Sequence, residues 1–179
     1  MTINSLCADR LEVLFMKNSD RTIYIDFDGV LAKWDYVSQE VWNSDWYYAD
    51  RPVEIVMRNS LIILHDTYGI DAEGLSAAAS IQAAAAKGVW VDNEFWQKGL
   101  PWFRYHIVPY GKKKEDYVRN AGNSLLIDDF HENLLSWPGI PVKFYNGING
   151  RGGHIYKHSL FKEWDAETIA HKIYEIYIE

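Results

Sequence analysis

Two carboxylates, Asp26 and Asp28, stand two positions apart in the stretch IYIDFDGVLA, at the end of an apolar run and directly before Gly29. A second apolar run, Leu125 to Ile127, ends in Asp128 and Asp129, and between the two pairs lie Ser76 and the consecutive Lys112, Lys113 and Lys114. Side chains at i and i+2 of a strand share a face. Two acids on one face of a buried strand repel each other, so such a pair calls for water, a cation or a catalytic task. Oxygen-rich donor sets suit Mg²⁺, which keeps several waters and accepts one or two carboxylates. His131, His154, His158 and His171 lack metal-ligand spacing, and His65 and His106 read as structural. Each motif also has a plainer reading: the acids fit a solvated Asx-type turn, Ser76 fits the N-cap of a following helix, and the lysines fit a solvated face.

Regular elements must hold these residues. Thr22 to Phe27, rich in β-branched and aromatic residues, reads as a buried strand. Lys33 to Arg51 is aromatic and acidic without a clear period, and reads as an insertion before the next helix. Pro52 fits the N1 position of that helix; Val53, Val56, Met57, Leu61 and Leu64 supply its apolar stripe, and Gly69 its C-cap. Ala72 to Ser76 reads as a second strand, although DAEGLS is polar for one, and the alanine run from Ala77 to Ala86 predicts a helix on propensity. Tyr105 to Val108 alternates as a third strand, Pro109 to Gly111 is a turn, and KKKEDYVRNAG reads as a short helix closed by Gly122. SLLIDDF and PVKFYN are two more strands, residues 146–153 a flexible glycine-rich loop, and Asp165 N-caps a terminal helix to about Ile178. This alternation predicts an α/β fold, a Rossmann-like parallel sheet with helices on both faces. Ligands bind such sheets outside the carboxyl ends of the strands, where both acid pairs, Ser76 and the lysines fall.

The 179 residues suit one domain with a small insertion. A net charge of −7 argues against long nucleic acid as a partner. The single Cys7 excludes an intramolecular disulfide framework and suits a reducing compartment. No apolar stretch approaches the ~20 residues of a membrane span, and Asp9 and Glu12 interrupt any signal-peptide core. The expectation is a cytoplasmic protein without a membrane anchor. Residues 1–21 read as an N-terminal extension, within which Met16 offers an alternative start.

DFDGV at 26–30, a serine after the second strand, a lysine opening a later helix and an apolar strand ending in Asp-Asp together resemble the haloacid dehalogenase superfamily of phosphohydrolases, over roughly Ile23 to Phe144. Within it the sequence looks like the 5'-nucleotidase and 5'(3')-deoxyribonucleotidase branch. The resemblance implies a catalytic domain at 22–179 with a small cap at about 33–51. It makes Asp26 the nucleophile that forms an aspartyl-phosphate, and Asp28 the acid/base. Gly29 would turn the chain close to phosphate, Ser76 and the adjacent Ala77 would contact a phosphate oxygen, and Lys114 would balance charge on nucleophile and phosphate. Mg²⁺ would be held by Asp128, with Asp129 assisting and Asp26 and Asp28 completing the acidic rim. The sequence departs from the family pattern in its polar second strand and in an insertion short for a full cap. An open site of that kind admits larger substrates or uses a partner subunit to exclude water, so an oligomer is compatible with it.

The resulting expectation is a Mg²⁺-dependent phosphomonoesterase whose small phosphorylated substrate is a nucleotide, its base stacked by rings of the insertion drawn from Trp34, Tyr36, Trp42, Trp46, Tyr47 and Tyr48, with Trp42 and Trp46 as the leading candidates. Two alternatives are a phosphatase for a sugar phosphate or nucleic-acid end, drawing on Arg104, Arg119 and Arg151, and a non-catalytic phosphate-binding module on the same fold.

Overall fold

The computed structural model describes residues 21–35, 37–42, 44, 46–149 and 156–179. Of the expected N-terminal extension only Arg21 falls within them, and the loop at 146–153 is described as far as Asn149; the remainder of both lies outside the described residues.

Six strands run β1 Thr22–Ile25, β2 Ala72–Ala78, β3 Arg104–Pro109, β4 Ser124–Asp128, β5 Ile140–Tyr145 and β6 His158–Phe161. They form one all-parallel sheet in the order β3-β2-β1-β4-β5-β6. Between them lie α1 Gln39–Trp42, α2 Trp46–Ala49, α3 Ile55–Tyr68, α4 Ile81–Glu94, α5 His131–Ser136 and α6 Ala166–Ile178. Strand alternation sends side chains to two cores. Ile23, Ile25, Leu125 and Ile127 pack with Met57 and Leu61 of α3, Trp90 of α4 and Ile173 of α6. Tyr24, Leu75 and Leu126 pack on the opposite face with Leu134 of α5 and Trp137. Helices therefore cover both faces, as the alternating pattern predicts.

The direction in which the chain adds strands reverses between β1 and β4, which lie side by side with Ile25 opposite Ile127. The crevice at such a reversal is where α/β sheets bind ligands. Both acid pairs sit there, one at the end of each strand.

Local details depart from the sequence pattern for identifiable reasons. Pro52 does not open α3: its carbonyl accepts from the Lys33 N–H at 2.9 Å, Val53 bridges Ala32, and the Glu54 N–H donates to Leu31 O at 2.7 Å. These bonds join the two ends of the inserted segment and delay the helix to Ile55. The alanine helix starts late as well. Ala77 and Ala78 stay in β2 opposite Val108 and Pro109, and Ser80, not Ser76, is the N-cap, accepting from the Ala83 N–H at 3.0 Å. Ladder pairing overrides helix propensity there. KKKEDYVRNAG makes only two 3₁₀ turns, Lys114–Tyr117 and Ala121–Asn123, separated by extended Val118 and left-handed Asn120. The short edge strand β6 follows no pattern that the sequence displays clearly. The polarity of β2 has two causes: Glu73 pairs with His106 Nε2 at 2.7 Å, and Gly74 leaves room for Phe27, whose Cε1 would lie 2.3 Å from a Cβ.

Candidate active site

β1 and β4 deliver their terminal acids to one point. Asp26, Asp128 and Asp129 are all buried, and one ligand oxygen from each lies within 4.8 Å of the others. Lys114, at the start of its 3₁₀ turn and 4% exposed, bridges Asp26 Oδ1 at 2.8 Å and Asp128 Oδ2 at 2.7 Å. Of the three candidate lysines, Lys114 alone makes this contact; Lys112 and Lys113 are exposed on the wall of the cleft above.

The acids are fixed from behind. Asp128 accepts from the Phe130 N–H at 2.7 Å and from Asn133 Nδ2 of α5 at 2.9 Å. Asp129 Oδ2 accepts from the amides of Asn146 and Asn149, each at 2.6 Å. Lys143 of β5 donates to the Asp129 carbonyl and to Asn149 O. Gly29 turns with φ +83°, and a Cβ there would sit 2.2 Å from Asp129 Oδ2. The glycine after the first acid pair is thus required by the second, and Asn146 ties them further by donating to the Gly29 carbonyl at 3.0 Å.

Three carboxylates against one ammonium leave the cluster short of positive charge. Burial drives the carboxyl of Asp26 up to about 8, with Lys114 opposing and Asp128 adding to the rise. Burial, then Asp128, raises Asp129 to about 7, against the pull of its two amide donors. Burial also pulls on Lys114 in the downward direction, but Asp128 and Asp26 outweigh it and hold its ammonium above the ordinary lysine range. A divalent cation would supply the missing charge and favour the ionised acids, and an all-oxygen donor set suits a hard ion. Asp26, Asp128 and Asp129 therefore fit a metal.

Asp28 stands apart from the other three. Its Oδ2 is 2.6 Å from Nζ of Lys87 on α4, and its Oδ1 accepts from the hydroxyl of Tyr48 on α2. Of the four carboxylates expected at the acidic rim, Asp26, Asp128 and Asp129 come within metal-ligand reach of one another, while Asp28 is turned to Lys87 and Tyr48. Ser76 is fully buried, accepts from Lys87 Nζ at 2.7 Å and does not line the cleft, whereas Ala77 does. The hydroxyl of Ser76, expected to contact phosphate, is engaged instead by Lys87 and lies 3.5 Å from Asp28 Oδ2.

The cleft, about 690 Å³, has Asp26, Asp28 and Asp129 at its base. Trp34 and Trp42 from the insertion line it, and Trp42 makes a T-shaped contact with Tyr110, ring centroids 5.1 Å apart. Phe130 and Asn133 belong to the wall too. Trp46 does not. It is 62% exposed and borders a separate shallow groove with Ala85, Ala86 and Val89 of α4, so the structure separates the two tryptophans that the sequence grouped. Arg104 and Arg119 also lie outside the cleft lining, and Arg151 is outside the described residues.

The contacts that sequence reasoning missed are Lys87, Tyr48, Asn133, Asn146 and Asn149. One signal for Lys87 was present: Ala83, Lys87, Trp90 and Val91 form the buried face of α4, which puts a lysine on an apolar stripe.

No helix among the described residues is long and apolar enough to cross a membrane. A scan against protein-family models and a search of curated proteins match nothing. Among solved structures, the chain is similar to the crystal structure of D,D-heptose 1,7-bisphosphate phosphatase from Burkholderia Thailandensis, at 12% sequence identity and a TM-score of 0.55, over 87% of this chain and 99% of that one. At that identity the likeness is one of architecture, and with the all-parallel sheet it defines the chain as a Rossmann-like α/β fold of the haloacid dehalogenase type.

Proposed function

We propose that the protein is a divalent-metal-dependent phosphomonoesterase of the haloacid dehalogenase superfamily, with residues 22–179 as its catalytic domain and 33–51 as a small cap. The observation that carries this reading is the meeting of Asp26, Asp128 and Asp129 around Lys114 at the floor of a cleft, where the strand order reverses. Asp26 attacks phosphorus, and the bond from phosphorus to the ester oxygen breaks as the aspartyl-phosphate forms. Asp28 gives a proton to the departing oxygen. It then takes one from the water that attacks the aspartyl-phosphate, and inorganic phosphate leaves with Asp26 restored. Lys114 neutralises charge on Asp26 and the phosphoryl group. Mg²⁺ held by Asp26, Asp128 and Asp129 would supply further stabilisation of phosphoryl charge.

A nucleoside monophosphate is the favoured substrate, as in the 5'-nucleotidase branch, because the rings of Trp34, Trp42 and Tyr110 line the space above Asp26. One observation favours a second reading. Lys112 and Lys113 face the same cleft, and the structural relative is by name a sugar bisphosphate phosphatase, so a substrate carrying a second anionic group also suits the site.

A panel of nucleoside monophosphates, sugar phosphates and p-nitrophenyl phosphate, assayed for phosphate release with Mg²⁺ and again in excess chelator, tests the proposal. The expected result is turnover that needs the metal and is highest for a nucleotide. Undiminished release in chelator would contradict the metal site, and preference for a sugar bisphosphate would replace the nucleotide reading with the second one.

A further inference from the structure

Lys87 is a buried lysine that neither the acidic cluster nor the cleft uses. It is 1% exposed, sits on the inner stripe of α4 and does not line the cleft. An ammonium carries three donor hydrogens, and three acceptors surround this one: Asp28 Oδ2 at 2.6 Å, Ser76 Oγ at 2.7 Å and the Ala77 carbonyl at 2.6 Å. The ring of Tyr48 covers it, with Nζ 4.5 Å from the centroid, and the hydroxyl of the same tyrosine donates to Asp28 Oδ1. Both oxygens of Asp28 are thereby held, one by helix α4 and one by helix α2 of the insertion.

Burying an ammonium is costly unless it is paired and fully hydrogen-bonded. A chain that needed only to join the ends of β1 and β2 could do so with apolar packing. The charge is explained if the orientation of Asp28 matters. Asp28 itself reaches the cleft, so the clamp fixes a group that can meet substrate through groups that cannot.

We propose that Lys87, assisted by Tyr48, is the positioning residue for Asp28: it aims the carboxyl at the leaving oxygen, and the insertion completes the aim by seating Tyr48. This rests on the phosphomonoesterase reading above. A misplacement of about 1 Å can cost about 10²-fold in rate, and protonation of the leaving group is worth about 10² to 10⁴-fold. An ester whose leaving group needs no proton should be spared in the phosphoryl-transfer step.

The test compares glycerol 2-phosphate, a poor leaving group, with p-nitrophenyl phosphate, a good one, on the wild-type protein and on Lys87→Met, Tyr48→Phe, Asp28→Asn and the Asp28→Asn/Lys87→Met double variant. Lys87→Met should lower kcat/KM, which stops at phosphoryl transfer and leaves out the later water attack common to both esters, by about 10²-fold for glycerol 2-phosphate and by less than about tenfold for p-nitrophenyl phosphate. Tyr48→Phe, which removes only a hydroxyl, should show the same ester dependence at smaller size and serves if Lys87→Met does not fold. The double variant should be no slower than Asp28→Asn alone, because Lys87 acts through Asp28. Equal losses of kcat/KM on both esters, or losses that multiply in the double variant, would overturn the positioning role and leave the phosphatase reading intact. Absence of metal-dependent turnover of either ester by the wild-type protein would overturn that reading and this inference with it.

Discussion

Asp26 is held between Lys114 at 2.8 Å and the carboxylates of Asp128 and Asp129, and this one side chain separates a catalytic account of the cluster from a structural one. Asp26→Asn keeps the volume but removes the proposed nucleophile, so phosphate release should fall at least about 10³-fold while far-UV circular dichroism and the melting transition stay near wild type. Near-normal turnover by the folded variant would refute the assignment. Gly29→Ala tests the second half of the cluster: a Cβ 2.2 Å from Asp129 Oδ2 and a left-handed φ that costs alanine about 1 kcal/mol should together lower the melting temperature and weaken Mg²⁺ binding by calorimetry. Unchanged Mg²⁺ affinity would show that Asp129 does not need that close approach. The acids and Lys114 were legible in the sequence because each stands in a short motif at a strand or turn end. Lys87 and Tyr48 were not, since they reach Asp28 across 59 and 20 residues, and such pairings exist only after β2 and α4 have packed. Asn146 and Asn149 were hidden for a similar reason, inside a segment whose glycines read as a loop without a task.

The insertion and α4 are the elements where pattern and structure diverge most. The described residues of 33–51 include the four-residue α1 and α2, and α2 packs Tyr47 and Tyr48 into the main core. Arg51 pairs with Asp35 at 3.1 Å, and its carbonyl accepts from Trp90 Nε1 at 2.8 Å, so the segment is anchored to α4 as well as closed at its base. No helical period announced this, because four-residue helices are too short to show one. Trp42 and Trp46 then differ in consequence. Trp42→Ala should raise KM for a nucleoside monophosphate about tenfold, a loss within the ~1 to 3 kcal/mol of a stacked base, and leave p-nitrophenyl phosphate nearly untouched. Trp46→Ala should change neither, since that ring faces away from the cleft; equal effects of the two would mean that the aromatics only hold the insertion together. Ser80→Ala should cost about 1 kcal/mol by denaturant unfolding, as expected for a lost N-cap, whereas the alanine run itself gave no means of telling Ser80 from Ser76 as the cap.

At the scale of the molecule, alternation of strand and helix was enough to read the parallel sheet, and the reversal of strand order between β1 and β4 explains why two acid pairs about a hundred residues apart arrive at one point. The strand order, unlike the fold class, was not readable, because every buried strand here presents a similar short apolar run. A ligand that binds only the folded state raises stability by mass action, about 2.7 kcal/mol at a hundred times its Kd. Mg²⁺ should therefore raise the melting temperature of the wild-type protein and do so much less for Asp128→Asn, and equal shifts would place the ion elsewhere. The most direct test of the whole account is chemical trapping of the intermediate. Protein mixed with substrate and Mg²⁺, quenched in acid and reduced with borohydride, should yield homoserine at position 26 on peptide mapping, because borohydride reduces an aspartyl-phosphate to that alcohol. Turnover under the same conditions with Asp26 unmodified, or with the phosphoryl group recovered on another residue, would contradict it.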